Sequence, residues 1–323
     1  MEKLKEVLTE YHIFPLSIER VTNRLYKVTT DRNSYALKRT NMSNDELHHW
    51  NQVYYLADKH HLHSIIPIYV TKNHQFVVVQ DDEIYYLCPW IADEDKEKSM
   101  TLLDRLSKIH QKTKTTKTID VEQFQNQLNQ YKENSEQVKE NLIKMLENFE
   151  QKQYKSPIEL QFCTHFHRLM AAQEMIKTIC DQCNKSEDLR EWSVSLCHGN
   201  VCTDHFLMNS RQQLFINWEK ASFNYPIYDL ITFYQQEAKK STESKERLLE
   251  GFKKYDETMK LTDKEKYFLI LYLLDPSNYL KRIKRVTERK PDSILDESIK
   301  IEQQYRIMKF GITLFSFVMK KVD

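Results

Sequence analysis

Glycine is the scarcest resource in this chain, with three in 323 residues. The first 198 residues contain none, so no glycine-rich loop exists there to bring backbone amides close to a phosphate. The first glycine, Gly199, therefore marks a turn that a side chain would obstruct. A charge imbalance is missing too. Lys and Arg number 48 against 47 Asp and Glu, which argues against a dedicated nucleic-acid binder and leaves only local patches open. Long apolar runs are absent; the stretches Phe268–Leu274 and Phe310–Met319 are far too short to span a bilayer. The amino terminus, MEKLKEVLTEY, reads as a charged amphipathic helix rather than a signal peptide, so the six cysteines are expected as reduced thiols in a cytoplasm. A single C-x-x-C, Cys180 and Cys183, lies downstream of Cys163, His165 and His167. Zinc is conceivable there, but a second C-x-x-C is lacking and the region reads as continuous helix.

A length of 323 suits one two-lobed unit or two ordinary domains. Residues 1–17 predict a helix ending in a Pro15 turn. From Ile18 the pattern turns strand-like, with Leu25, Lys27 and Thr29 alternating against Tyr26 and Val28, an Asp-Arg-Asn-Ser tip, and then YALKRT. Ser43 and Glu46 form a capping-box pattern opening a helix to His60. The runs IIPIYVT, QFVVVQ and EIYYLCPWI, joined by hairpin-length turns, complete a five-stranded antiparallel sheet. A boundary is expected near Ala92, before the acidic stretch DEDKEKS, dividing the chain into 1–92 and 93–323. The remainder reads as helix. Phe124, Tyr131, Val138 and Met145 recur every seven residues, as do Leu128, Leu142 and Phe149, with Ser135 the one polar break. That double stripe packs either against the helix from Ile158 to Cys183 or in a coiled-coil dimer.

The stretch LCHGNVCTDHFLMNSRQQLFINWEKASFNYPIYDLITFY, from Leu196, predicts a short strand, a loop at His198-Gly199, a strand over Leu214–Trp218 and a helix from about Tyr228. Two loops at strand ends would gather Asn200, Asp204, His205 and Asn217 around one cleft. This pattern resembles the catalytic segment of the aminoglycoside phosphotransferase and choline kinase superfamily, kinase-fold enzymes whose loop reads H-G-D-x-x-x-x-N, followed by I-D-W/F-E. The resemblance extends over about residues 20–310 and implies a two-lobed α+β fold, with the sheet and one helix in the first lobe and a larger helical second lobe. It implies further that Lys38 reaches nucleotide phosphates, that Glu46 pairs with Lys38 or else closes its cap, and that the Cys88-Pro89-Trp90 segment meets an adenine. Leu103, Leu106, His110 and Thr113 match a helix of the superfamily, and Asp229 matches an Asp that braces the loop of His198 and Gly199.

At the decisive positions the sequence departs from the pattern. The superfamily's base is Asp, here Asn200; its metal ligands are Asn and Asp, here His205 and Asn217. An amide is neither a general base near neutral pH nor a charged ligand for a hard cation. The resemblance thus implies a pseudokinase without a cofactor. The alternative is an ATP- and Mg²⁺-dependent phosphotransferase drawing carboxylates from Asp204 and Glu219, and a third reading is a sensor that binds a nucleotide or metabolite at Lys38. Leu273, Pro276, Tyr279 and Ile283, followed by basic residues, resemble the CotS-type branch of the superfamily. That likeness implies other spore-coat proteins as partners and a mother-cell cytoplasmic protein that becomes coat-associated, with no nucleic acid and no membrane. Lys281, Arg282, Lys284 and Arg285 form a compact basic face. It is either ordinary helix surface beside a carboxylate-rich neighbour or a patch for an acidic partner.

Overall fold

Local sequence sets the first elements of the chain. The computed structural model describes residues 2–94, 97–185, 189–240, 244–288 and 293–320; Asp95 and Lys96 of the acidic stretch and Arg289 and Lys290 beyond the basic face lie outside the described residues. Helix α1 (Glu2–Glu10) buries Leu4, Val7 and Leu8, spaced as one helical face. Strands β1 (Ser17–Arg20), β2 (Leu25–Thr29) and β3 (Ser34–Thr40) follow, and the polar tip between β2 and β3 is closed by the Thr30 N–H donating to the Asn33 carbonyl at 2.9 Å. Helix α2 (Asn44–Lys59) opens on the expected capping box: Ser43 accepts from the Glu46 N–H and the Glu46 carboxylate from the Ser43 N–H. Strands β4 (Val77–Gln80) and β5 (Glu83–Pro89) complete a five-stranded antiparallel sheet in the order β1-β2-β3-β5-β4. The period-two alternation is explained by what covers each face. Helix α1 packs on the face bearing Tyr26, Val28, Tyr35, Leu37, Tyr85 and Leu87, while Leu25, Ala36 and Cys88 turn to the other side.

The strand count agrees with expectation, but its membership does not. Residues 65–71 form no ladder. Pro67 has no N–H to give one, and the neighbouring groups bond singly: Ile66 N–H to the Phe215 carbonyl at 3.1 Å, Tyr69 N–H to that of Leu87 at 2.9 Å. The fifth strand comes instead from a split of the first run into β1 and β2.

Helix α3 (Ser99–Thr113) comes next, then β6 (Thr115–Thr118), α4 (Val121–Glu150), α5 (Pro157–Lys185), β7 (Glu191–Cys197), and the two-stranded hairpin of β8 (Phe206–Met208) and β9 (Gln213–Phe215). The rest is β10 (Ser222–Asn224), α6 (Ile227–Glu237), α7 (Lys245–Met259), α8 (Asp263–Leu274), α9 (Ser277–Glu288) and α10 (Ile294–Met319). The α+β, kinase-like architecture is therefore present: an antiparallel sheet towards the amino end and a larger, mostly helical part after it. Two compact units divide the chain, Met1–Thr113 with Leu196–Phe223, and Lys114–Ser195 with Asn224–Asp323. In the first, the segment after β5 is pinned to the end of the β8–β9 hairpin, with the Met208 carbonyl accepting from Glu94 N–H at 2.9 Å and Ala92 accepting from the Asn209 amide at 3.1 Å.

In the second unit the heptad stripe of α4 packs on α5. Leu128, Ser135, Leu142 and Phe149 are the buried positions, Phe149 meets Phe162 edge to face at 5.2 Å, and the polar break is satisfied by the Ser135 hydroxyl donating to the Gln173 side chain at 2.9 Å. Cys163 and Cys180 lie on this same helix, roughly 25 Å apart along its axis at 1.5 Å per residue, so they share no metal. Burial pushes the Cys180 and Cys183 thiols up to about 11 and 12, as befits inert core cysteines. Strand β6, a run of Thr and Lys with no apolar alternation to announce it, pairs antiparallel with β7. Among the described residues no helix is long and apolar enough to cross a membrane.

Candidate functional site

Within the first unit, β3, β5 and the turn after the β8–β9 hairpin converge on Lys38. Antiparallel register sets Lys38 opposite Tyr86, and its ammonium stands 5.7 Å from the centre of the Tyr86 ring. Beyond β9 the backbone turns sharply. Asn217 takes the left-handed conformation (φ 66°, ψ 52°) and caps a 3₁₀ turn, Trp218–Lys220, a shape that Asn tolerates better than most residues. The turn aims two side chains at Lys38: Asn217 Oδ1 accepts from Nζ at 2.5 Å, and the Glu219 carboxylate forms a close ion pair with it. Glu219 also accepts from the Tyr86 hydroxyl at 2.7 Å.

These groups are largely out of water, with 20% of the Lys38 side chain and 17% of the Glu219 side chain exposed. Burial alone would raise the Glu219 carboxyl. The Lys38 charge, its hydrogen bond and that of Tyr86 outweigh this and hold it below the ordinary carboxylate range. The Tyr86 hydroxyl is driven well above its ordinary value by burial and then by the Glu219 charge. Glu46, the other partner open to Lys38, is occupied in its helix cap.

The His198 ring bolts the loop to the hairpin. Nε2 lies 2.7 Å from the Ile216 carbonyl, which can only accept, and Nδ1 lies 3.2 Å from the Asn200 N–H, which can only donate. Those partners define a neutral imidazole protonated at Nε2. The ring packs against Trp218 at 4.7 Å. Gly199 sits beside it at φ +77°, where an added Cβ would lie 2.2 Å from the Lys220 carbonyl oxygen. The scarce glycine thus lets two backbones touch. His205 donates from Nδ1 to the Asn200 carbonyl at 2.8 Å, while its own carbonyl accepts from Ile216 N–H at 3.0 Å.

The structure sets Asn217 and Glu219 on Lys38, whereas Asn200 and His205 are bonded to each other, and His205 to the hairpin through Ile216. Asp204 is exposed on the 3₁₀ turn Thr203–His205. Asp229 lies in the first turn of α6 and is completely buried. At the expected hinge, Cys88 is buried with its thiol pushed up to about 12 by burial, packed with Ala36, Ile66 and Leu214. The Trp90 N–H is already bonded to the Ser34 carbonyl at 3.1 Å, so the backbone donor there extends the sheet, and the ammonium of Lys27 lies 5.2 Å over the Trp90 ring. Sequence reasoning missed Tyr86 as a site residue. Its position two residues before Cys88 was legible, but the register that sets it across from Lys38 was not.

The sequence matches the model of the phosphotransferase enzyme family over residues 17–267. Among solved structures, an aminoglycoside phosphotransferase from Alicyclobacillus acidocaldarius is similar in fold, with a TM-score of 0.70 at 14% identity, over 98% of this chain and 96% of that one. A spectinomycin phosphotransferase in complex with ADP and spectinomycin gives 0.55 at 13%, covering 97% and 98%. A microcompartment-associated aminopropanol kinase gives 0.56 at 11%, covering 98% of each. Such identities show the fold alone. No curated protein matches the sequence.

Proposed function

This chain belongs to the phosphotransferase enzyme family, and from that premise we propose that it is a pseudokinase, a kinase frame retained without phosphoryl-transfer chemistry. One observation carries the reading. The side chain at the family's metal position, Asn217, points its oxygen at Lys38 and shares that cation with Glu219. The lysine that would meet a nucleotide phosphate is neutralised from within. The donor set fits Mg²⁺ poorly. Bound Mg²⁺ would neutralise charge on transferring phosphate oxygens and calls for hard anionic ligands, whereas His205 and Asn217 supply an imidazole and an amide, and His205 Nδ1 is spent on a carbonyl. Asn200 cannot take a hydroxyl proton, a loss that by itself removes roughly 10²–10⁴ in rate.

A frame without its chemistry serves through its surface. With the likeness of residues 273–283 to the CotS-type branch, that supports a mother-cell protein that collects on the spore coat. ATP turnover with aminoglycoside, choline and aminopropanol acceptors tests the first part, and the expected result is none above background. Turnover near ~1 s⁻¹, the low end for kinases, that vanishes in Asp204→Ala would return the chain to the active phosphotransferases. Imaging of a fluorescent fusion in a sporulating cell tests the second. Accumulation at the forespore that persists in Lys38→Ala is expected, and diffuse signal for the unmodified protein rules the coat role out.

A further inference from the structure

In the second unit, α9 turns Tyr279 and Ile283 into the core. Its other side carries Asn278, Lys281, Arg282 and Arg285 at positions i, i+3, i+4 and i+7, a single stripe. Together with Gln304 of α10 these four line an open hollow of ≈ 400 Å³. Of the basic face, Lys284 pairs along its own helix with Glu288 at 3.7 Å, and the carboxylate that α10 sets beside the arginines is Glu297, 5% exposed. Glu297 pairs with Arg285, with Arg282 at 3.4 Å and with Lys300 at 3.2 Å, so three cations share one negative charge. Lys281 has no ion pair among the described residues.

The excess reaches further. Lys239 is held below its ordinary range, first by burial and then by the Arg282 charge. Each guanidinium offers five N–H donors in a planar fork. Arg282 contributes a single hydrogen bond to Glu297, made from Nη1. Donors therefore remain for something in the hollow, and the cations around it outnumber the one carboxylate, Glu297, that the arginines share.

We propose that this hollow binds a compact multivalent oxyanion, a condensed phosphate or a phosphate monoester, gripped by Lys281, Arg282 and Arg285 with the Asn278 and Gln304 amides as neutral donors. Seven residues of helix span only about 10 Å, so the cations converge on one small ligand rather than tracking an extended acidic chain. Forked guanidinium groups suit tetrahedral phosphate oxygens held by two parallel bonds. The site is independent of the chemistry at Lys38 and stands or falls apart from it.

Titration calorimetry with pyrophosphate, inorganic phosphate and a poly-glutamate peptide, at one fixed ionic strength so that general screening is constant, decides the matter. Saturable pyrophosphate binding is expected. It should weaken at least about tenfold in Lys281→Ala/Arg285→Ala, the loss of one or two charge-assisted bonds. That variant leaves Arg282 and Lys300 on Glu297, and its melting temperature without anion should stay near that of the unmodified protein. A second variant works in the opposite direction: Glu297→Gln frees both arginines and should tighten pyrophosphate binding. Absence of saturable pyrophosphate binding, equal affinity in Lys281→Ala/Arg285→Ala, or binding of poly-glutamate alone would each overturn the proposal, the last in favour of a protein partner.

Discussion

Replacing Lys38 with Met would leave Glu219 buried with only Tyr86 and no cation. Removing one partner of a buried ion pair typically costs 3–5 kcal/mol because the other charge is stranded. Here about a fifth of each side chain still meets water, and the Tyr86 hydroxyl stays on the carboxylate. The expected loss is therefore somewhat smaller, about 2–4 kcal/mol, or roughly 5–15 °C in melting temperature for a unit of this size. The assay is urea and thermal unfolding followed by tryptophan fluorescence, since Trp50, Trp90 and Trp218 all lie in the first unit. Two further arms isolate the cause. Lys38→Met/Glu219→Gln removes both charges and should recover most of the loss, a clear departure from additivity. The pH dependence has a definite sign. In the unmodified protein the Glu219 carboxyl is depressed, so the pair's contribution is complete above the unfolded carboxyl value and disappears as pH falls through the lower folded value. In Lys38→Met burial raises the carboxyl instead, so the deficit should be largest at neutral pH and shrink towards pH 5. A Lys38→Met protein as stable as the original, or a deficit untouched by Glu219→Gln, would mean that Lys38 is solvated and free for a phosphate.

Gly199→Ala meets both a left-handed backbone and a carbonyl 2.2 Å from its new methyl, and should cost about 2–4 kcal/mol by denaturant titration; an unchanged midpoint would mean the loop does not lie against Lys220. Asp229→Ala removes a fully buried carboxylate and should cost on the order of 1–3 kcal/mol, whereas Asn200→Ala, at a half-buried side chain, should barely move the melting temperature; equal effects would refute that ranking. His165 lies stacked on Tyr305 at 3.5 Å, with Tyr279 at 3.1 Å and Glu302 at 3.3 Å on its two nitrogens. Burial pulls its value down to about 4, against Glu302 and aided by Lys309 and Arg168. A depressed histidine is bound neutral, so stability should fall as pH drops from about 6.5 towards 4, and His165→Phe should flatten that limb.

Much of the fold was legible because its signals are local. Ser43 and Glu46 lie three residues apart and closed the cap they predict; the polar tip between β2 and β3 and the heptad of α4 are likewise short-range patterns. Residues 65–71 were misread because apolar, β-branched composition does not reveal whether a sheet edge is available, and Pro67 had already removed one donor. Strand β6 was invisible for the converse reason, since its Thr and Lys side chains bury nothing that would leave a pattern.

The sequence alone determined which side chains stand at three positions of the loop and turn. Asn200, His205 and Asn217 carry no carboxylate, and no folding can supply one to those positions. It also determined where the backbone must turn tightly, because a chain with three glycines places one between His198 and Asn200. Only the tertiary structure decided whom each charge meets. Lys38 and Glu219 are 181 residues apart, and nothing in either neighbourhood chooses between Glu219 and Glu46. The choice was made by geometry, through a left-handed Asn217 that swings Glu219 inward and a helix cap that holds Glu46 away. The basic face of α9 was plain from its spacing. That one buried carboxylate, Glu297, lies beside it and leaves positive charge over depended on how α10 packs, since a charge is neutralised only by what folding brings within a few ångströms of it.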